Sequence, residues 1–144
     1  MKLVDANVLI YAVNSAAPHH RRSREWLDWA LSGKAVVGFS WVPLLAFWRI
    51  TTHPALLQRP LSAQQAGEVI AAWLGAPAAR LVHPTAEHPR LLRTLLADTG
   101  VGGNLINDAH LAALAMEHRA QVVTFDTDFA RFANVSWQIP PERD

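Results

Sequence analysis

Short runs of apolar residues alternate along this chain with longer stretches of helical periodicity, and this alternation is the feature that most limits its fold. Strands are predicted near residues 3–4, 35–38, 80–82, 121–124 and 136–137. Helices are predicted over residues 18–31, 41–51, 63–74, 87–97 and 105–118, with a glycine-rich turn at 100–103. Such alternation favours an α/β fold with a mainly parallel sheet of four to five strands, covered by helices on both faces.

Composition sets the number of domains and excludes several kinds of site. The chain has 144 residues, of which 51% are hydrophobic, and this suits one domain over residues 1–144. It has no cysteine, so a metal ion must be held by oxygen or imidazole ligands. Asp5 and Asn7 interrupt the first apolar stretch too early for a signal peptide or a membrane span, so we expect a cytoplasmic protein without a membrane partner.

Three aspartates are placed where a parallel sheet would bring them together. Asp5 follows the first strand, Asp126 follows the strand at 121–124, and Asp108 lies in the first turns of the helix at 105–118. Ligands of open α/β sheets bind at the carboxyl ends of the strands. Carboxylates are preferred ligands of Mg²⁺ and Mn²⁺. We therefore predict that Asp5, Asp108 and Asp126 share one catalytic pocket, with Asp128 as a further metal ligand.

Each of these residues also has a simpler interpretation. Asp5 and Asp126 are suited to cap the helices that follow them, and Asp108 suits the first turns of a helix for electrostatic reasons. Asp128 would then only stabilise the short helix after Asp126. Two neutral neighbours, Asn7 and Thr124, are predicted either to orient a carboxylate or a metal-bound water, or to serve as ordinary turn residues at the strand ends.

Three segments resemble the PIN-domain family: LVDANVLIYAV at the start, NDAHLAALAMEH around Asp108 and VVTFDTDFARF around Asp126. The sequence is most similar to the toxin nucleases of bacterial VapBC-type toxin–antitoxin pairs. The segments WVPLLAFWRITTHP and RPLSAQQAGEVIAAWL resemble a mycobacterial-type branch of them. The resemblance implies an α/β/α sandwich, an endoribonuclease dependent on Mg²⁺ or Mn²⁺, a homodimer, and a small antitoxin that inhibits it.

One position departs from the family pattern. By resemblance, Asp5, Asp108 and Asp126 correspond to the first, third and fourth acids of the family. Many members carry a glutamate, the second acid, in the helix that here spans 41–51, and the aligned residue is Ala46. The alternative function is therefore a catalytically weak module that binds RNA or the antitoxin. Haloacid-dehalogenase-like phosphatases and receiver domains are less similar, because Asp5-Ala6-Asn7 matches neither starting motif.

Basic residues are the expected contacts to the RNA backbone. The net charge of +1 neither favours nor excludes RNA binding. Arg21 and Arg22, however, lie in a cluster, and Arg49 lies on the helix at 41–51. A solvated helix face is the equal alternative for the cluster. His110 lies two residues after Asp108 on another helix face, so we expect it to be structural or to face a partner rather than to bind a metal.

Overall fold

The computed structural model describes residues 1–99 and 104–143, so the predicted glycine-rich turn at 100–103 lies outside the described residues. Five parallel strands form one sheet in the order β3-β2-β1-β4-β5. The strands are β1 (Lys2–Val4), β2 (Val37–Phe39), β3 (Ala79–Leu81), β4 (Gln121–Val123) and β5 (Trp137–Gln138). The helices are α1 (Ala6–Val13), α2 (His20–Trp29), α3 (Trp41–Thr51), α4 (Ala63–Gly75), α5 (His88–Thr99) and α6 (Asn104–Glu117).

The sheet separates two apolar cores. Neighbouring residues of a strand point to opposite faces, so Val4 packs into one core and Leu3 into the other. Residues of α1 to α4 contribute to the core on the Val4 side, whereas α5 and α6 pack on the Leu3 side. The predicted three-layer α/β/α sandwich is therefore confirmed.

Local sequence signals locate most of the element boundaries. Helix α3 has the predicted bounds. The predicted capping box is present before α4, where the Ser62 side chain accepts from the Gln65 amide and the Gln65 side chain accepts from the Ser62 amide. Strand β2 starts two residues later than predicted, because a π-helical turn at Ala30–Lys34 follows α2 and contains Gly33 at a φ of 101°. The sheet and helices α2 to α6 therefore lie where the pattern predicts, with shifts at the ends, whereas α1 is not among the helices whose bounds are predicted.

Candidate active site

A cavity of about 530 Å³ opens at the carboxyl ends of the central strands. Asp5, directly after β1, and Asp126, three residues after the end of β4, both line it. Strands β1 and β4 are neighbours in the sheet, so the loops after them emerge side by side. Asp108 reaches the same cavity from α6. The structure thus brings the three predicted catalytic aspartates to one cavity, although more than a hundred residues separate the first from the others.

The two carboxylate oxygens of Asp5 accept hydrogen bonds from different parts of the structure. One oxygen, Oδ1, accepts a hydrogen bond of 2.7 Å from the amide of Ala6, which makes Asp5 the N-cap of α1. The other oxygen, Oδ2, accepts hydrogen bonds from Thr124 Oγ1 at 2.8 Å and from Asn7 Nδ2 at 3.3 Å. Helix capping and a role in the cavity are therefore compatible, because they use different oxygens and fix one orientation of the side chain.

Thr124 connects the two loops that carry Asp5 and Asp126. Its buried hydroxyl donates to Asp5 and accepts from Asn7 Nδ2 at 3.0 Å and from the amide of Asp126 at 2.9 Å. A hydroxyl has one proton and two lone pairs, so all of its hydrogen-bonding capacity is used. Asn7 adds a second link, because its Oδ1 accepts from the amide of Phe125 at 3.1 Å. These contacts are those expected of residues that orient carboxylates rather than react.

Asp126 also caps a helix while it lines the cavity. Its Oδ1 accepts a hydrogen bond of 2.9 Å from the amide of Asp128, which begins the 3₁₀-helix Thr127–Arg131. The carboxylate of Asp128 has Oδ1 at 3.8 Å from Arg131 Nη2 and is not among the described groups that line the cavity, although it is near enough for its charge to act on Asp108. Asp128 therefore acts on the loop through its backbone, and its role as a metal ligand stays a prediction.

Burial and nearby negative charges disfavour the charged form of Asp108. Burial, the negative charge of Asp126 and a hydrogen bond with Asp126 raise the pKa of Asp108 to about 7, and the charges of Asp5 and Asp128 add to the effect. Burial also raises the pKa of Asp5, and the charge of Asp126 acts in the same direction, although hydrogen bonds from Thr124 and Ala6 oppose them. At neutral pH, a proton on Asp108 thus partly offsets the repulsion in the metal-free protein.

The chemistry of this cavity suits a divalent cation. Among the described residues that line it there is no lysine, arginine or histidine, so the chain supplies no positive side chain to neutralise the three carboxylates there. In the part of the chain that the structure describes, no three acidic, histidine or cysteine side chains are arranged closely enough to hold a metal ion. The three carboxylates are of the ligand type that Mg²⁺ and Mn²⁺ prefer, and the binding of such an ion stays a prediction.

The wall formed by α3 is apolar. Ala46 lines the cavity together with Val42, Pro43 and Ile50 of the same helix. The resemblance to the PIN-domain family places a second acid in this helix. Here the helix contributes only apolar side chains to the cavity. The cavity accordingly has acids on the side of β1, β4 and α6 and none on the side of α3 within the described residues.

The cavity lined by Asp5, Asp108 and Asp126 is called the acidic cavity. The three arginines that are predicted to contact RNA lie outside it. Arg21 pairs with Glu25 at 2.8 Å on the surface of α2. Arg22 donates to the carbonyl oxygen of Pro140 and pairs with Glu142 at 3.4 Å. Arg49 is exposed on α3. Their contact with RNA stays a prediction.

A polar cluster between α5 and α6 has no recognisable sequence signal. His88 Nε2 lies 2.8 Å from His110 Nδ1, and His88 Nδ1 lies 2.6 Å from Glu117 Oε2. Glu117 in turn accepts from the hydroxyl of Thr85 at 2.6 Å. Separations of 22 to 32 residues join these groups, so neither spacing nor periodicity predicts the cluster. His110 thus makes structural contacts, as expected.

Comparison with known proteins agrees with this geometry. The family model described as PIN domain matches residues 2–135. The chain belongs to the PIN-domain family. A relative of this PIN domain, Ribonuclease VapC37 from Mycobacterium tuberculosis, is 56% identical over 141 residues, which cover 98% of each chain. Ribonuclease VapC33 from the same species is 34% identical over 97% of this chain and 98% of its own length.

Solved structures support the fold of this PIN domain. The VapBC2 complex from Rickettsia felis, bound to a DNA fragment from its promoter, matches with a TM-score of 0.70 and 18% identity over 96% of this chain and 97% of that one. VapC20 from Mycobacterium tuberculosis, described as a sarcin-ricin loop cleaving toxin, matches with a TM-score of 0.66 and 18% identity over 94% and 99%. Within the described residues, no helix is long and apolar enough to span a bilayer.

Proposed function

We propose that this protein is an endoribonuclease that hydrolyses RNA phosphodiester bonds with the help of Mg²⁺ or Mn²⁺, and that it is the toxin of a type II toxin–antitoxin pair. The observation that carries the proposal is the convergence of Asp5, Asp108 and Asp126 on one cavity whose described lining has no positive side chain. Full-length similarity to relatives that are named ribonucleases supports RNA as the substrate. Such a toxin acts in the cytoplasm.

The chain's own residues prepare the site for a cation. Asp5, Asp108 and Asp126 would hold Mg²⁺ or Mn²⁺, which when bound lowers the pKa of water and stabilises negative charge on the reacting phosphate. Thr124 and Asn7 keep Asp5 in one orientation through their hydrogen bonds to Oδ2. Asp108 has to release its proton to act as a ligand, and its pKa of about 7 makes that release easy at neutral pH.

Cleavage of RNA by the purified full-length protein tests the proposal. We expect labelled single-stranded RNA to be cleaved in millimolar Mn²⁺ or Mg²⁺, and cleavage to stop when EDTA is added and to resume when the metal is restored. Cleavage that continues in EDTA would contradict metal dependence. If no RNA is cleaved in the presence of the metal, the proposed ribonuclease activity is contradicted.

The alternative, a catalytically weak module that binds RNA or the antitoxin, is favoured by one observation. Ala46 lines the cavity where a carboxylate would approach from α3, and none of the described residues replaces that carboxylate.

Substitution of Ala46 by glutamate separates the two functions. We expect A46E to bind Mn²⁺ about tenfold more tightly, because a further carboxylate increases the ligand charge of the site. If the protein is a weak module, A46E should also convert it into a measurable nuclease. Ala46→Gln is the matched control, since it has the same shape without the charge. Equal Mn²⁺ affinity of A46E and A46Q in calorimetry would show that Ala46 does not face the metal.

A small cognate antitoxin is the proposed inhibitor. Solved neighbours of this fold include VapBC complexes from Rickettsia felis and Haemophilus influenzae. The described lining of the acidic cavity has no positive residue, so an arginine or lysine from a partner would pair with the carboxylates in place of the metal. Antitoxin and Mn²⁺ should then compete, so the affinity for the antitoxin should fall as Mn²⁺ is added.

A homodimer is proposed from the exposed apolar residues of α3 and the loop after it. Leu45 and Leu56 are 57% and 55% exposed, and Trp41 and Val42 are also exposed. A set of this kind is typical of a surface that another chain covers. We expect sedimentation to show a dimer for the wild type and a monomer for Leu45→Glu. Ile139→Glu is the control that should remain dimeric. Ile139 is also exposed, and it follows β5, which lies at the edge of the sheet opposite β3.

A further inference from the structure

A second cavity, of about 380 Å³, lies between the start of α2 and the C-terminal segment. Arg21, Arg22 and Arg143 line it together with His19, and Glu25 and Glu142 are the acids in its walls. This cavity, which we call the basic cavity, contains none of the aspartates of the acidic cavity. Cations in the first turn of a helix act against the helix dipole. Arg21 is partly compensated by its i,i+4 pair with Glu25, whereas Arg22 pairs with Glu142, outside the helix.

Arg21 and Arg22 each pair with a glutamate, and Arg22 also donates to the carbonyl oxygen of Pro140. The Arg21–Glu25 pair is surface-exposed, with 85% of the Arg21 side chain accessible, and the Arg22–Glu142 pair spans 3.4 Å with 80% of Glu142 accessible. Pairs of this kind contribute little in water. A phosphate group binds a guanidinium through two parallel hydrogen bonds and exchanges readily for a weakly held carboxylate. Glu142 contacts Arg22 through one oxygen, at Nη1, so a phosphate that displaces Glu142 would accept a hydrogen bond from this nitrogen.

Aromatic rings join the basic cavity to the acidic cavity. Phe125 directly precedes Asp126 in the chain. The ring of His19 stacks on the ring of Phe125, with centroids 4.3 Å apart. The guanidinium of Arg22 lies 6.0 Å from the same ring. Tyr11 lines the acidic cavity, and its ring lies 5.5 Å from that of Phe125 and 5.9 Å from that of His19. Tyr11, Phe125 and His19 therefore form a continuous set of ring contacts between residues of the two cavities.

We propose that the basic cavity binds a backbone phosphate of single-stranded RNA next to the phosphodiester that is cleaved, with Arg21 and Arg22 as its ligands and Glu142 as a competitor within the chain. The inference rests on the proposed ribonuclease function. Arginines beside the exposed ring of His19 form the combination that binds single strands, in which the cation contacts the backbone and the ring stacks on a base.

The test compares arginine variants that have the same net charge. Binding of a short, fluorescein-labelled single-stranded RNA of mixed sequence is measured by anisotropy in EDTA at several salt concentrations. We expect Arg22→Ala to bind about tenfold more weakly than wild type, because a charged hydrogen bond to phosphate is lost. The slope of log affinity against log salt should fall by about 0.7, the change for one phosphate of a single strand. Arg21→Ala, at a largely exposed side chain, should show the same trend and keeps the fold.

Two further variants make the result specific. Arg24→Ala is the matched control, because Arg24 lies on α2 outside the basic cavity and pairs with Asp28 at 3.9 Å. It should retain the wild-type slope. Glu142→Gln should bind the RNA about twofold to threefold more tightly, since it frees Arg22 from a surface pair. In Mn²⁺, Arg22→Ala should raise KM for RNA cleavage more than it lowers kcat.

The outcomes separate this inference from the function on which it rests. If the wild type cleaves RNA but Arg21→Ala, Arg22→Ala and Arg24→Ala have equal affinities and salt slopes, the phosphate site is wrong and the ribonuclease remains. If Arg22→Ala weakens binding of an acidic peptide and not of RNA, the basic cavity is a protein-binding site and the inference is overturned. If the wild type neither binds nor cleaves RNA, the proposed function fails first.

Discussion

Replacement of Asp126 by asparagine is expected to lower the rate of RNA cleavage by about 10³-fold without loss of the fold. Asparagine keeps the shape of aspartate and is an equally good N-cap, so its side-chain oxygen can still accept from the amide of Asp128. The variant loses the negative charge that the cavity needs to hold a divalent cation. Single-turnover cleavage of a labelled RNA in Mn²⁺ measures the effect.

The control for this prediction is Asp28→Asn, which removes an acid from α2 at a site where it pairs with Arg24 on the surface. Its cleavage rate should stay within about twofold of the wild type, because exposed pairs contribute little. Circular dichroism should show the same helix content in all three proteins. A D126N protein that is folded and cleaves at the wild-type rate would exclude Asp126 from the catalytic site.

The second large effect is that of Asp108 on stability. Its replacement should raise the stability of the metal-free protein although it abolishes activity. Substitution of Asp108 by asparagine should stabilise the metal-free protein at pH 8, because it removes a carboxylate from a buried group of like charges. The full shift of the pKa from 3.8 to about 7 corresponds to about 4 kcal/mol. Partial contact of the side chain with solvent reduces the expected gain in the free energy of unfolding to about 1–2 kcal/mol. The same variant should not cleave RNA.

The pH dependence follows from the raised pKa of Asp108. Between about pH 4 and pH 7 the folded chain keeps a proton on Asp108 that the unfolded chain has lost. The contribution of this group to the free energy of unfolding therefore falls as pH rises through that window, and it stays low above pH 7. Urea unfolding in EDTA at pH 5 and pH 8 should show this loss in the wild type and not in D108N.

Added metal provides an independent check on the same group. Mn²⁺ at 100 times its dissociation constant should raise the free energy of unfolding of the wild type by about 2.7 kcal/mol at pH 8. D108N should gain less, because one of the ligands has lost its charge. Identical pH profiles and identical gains from Mn²⁺ in the two proteins would contradict the assignment of Asp108 to the acidic cluster.

The positions of Asp5 and Asp126 were predictable from short-range rules. Each follows a short apolar run, and parallel strands place such residues at one edge of the sheet. The rules also predict the capping box at Ser62 and the bounds of α3, because a helix end depends on a few adjacent residues. In the same way, the resemblance of the segment around Asp108 located a third acid without any knowledge of the packing.

By itself, the sequence determined the order along the chain of the strands and of helices α2 to α6, the identity of the candidate acids and the absence of an acid at Ala46, because all of these depend on neighbouring residues or on residue type. Only the tertiary structure decided how burial and neighbouring charges raise the pKa values of Asp5 and Asp108, since both causes depend on what packs around each carboxylate. The triple use of the Thr124 hydroxyl and the return of Glu142 to Arg22 are also tertiary effects. Apart from the bond between Thr124 and the amide of Asp126, these contacts join residues about 120 positions apart, and no local pattern encodes a contact at that distance.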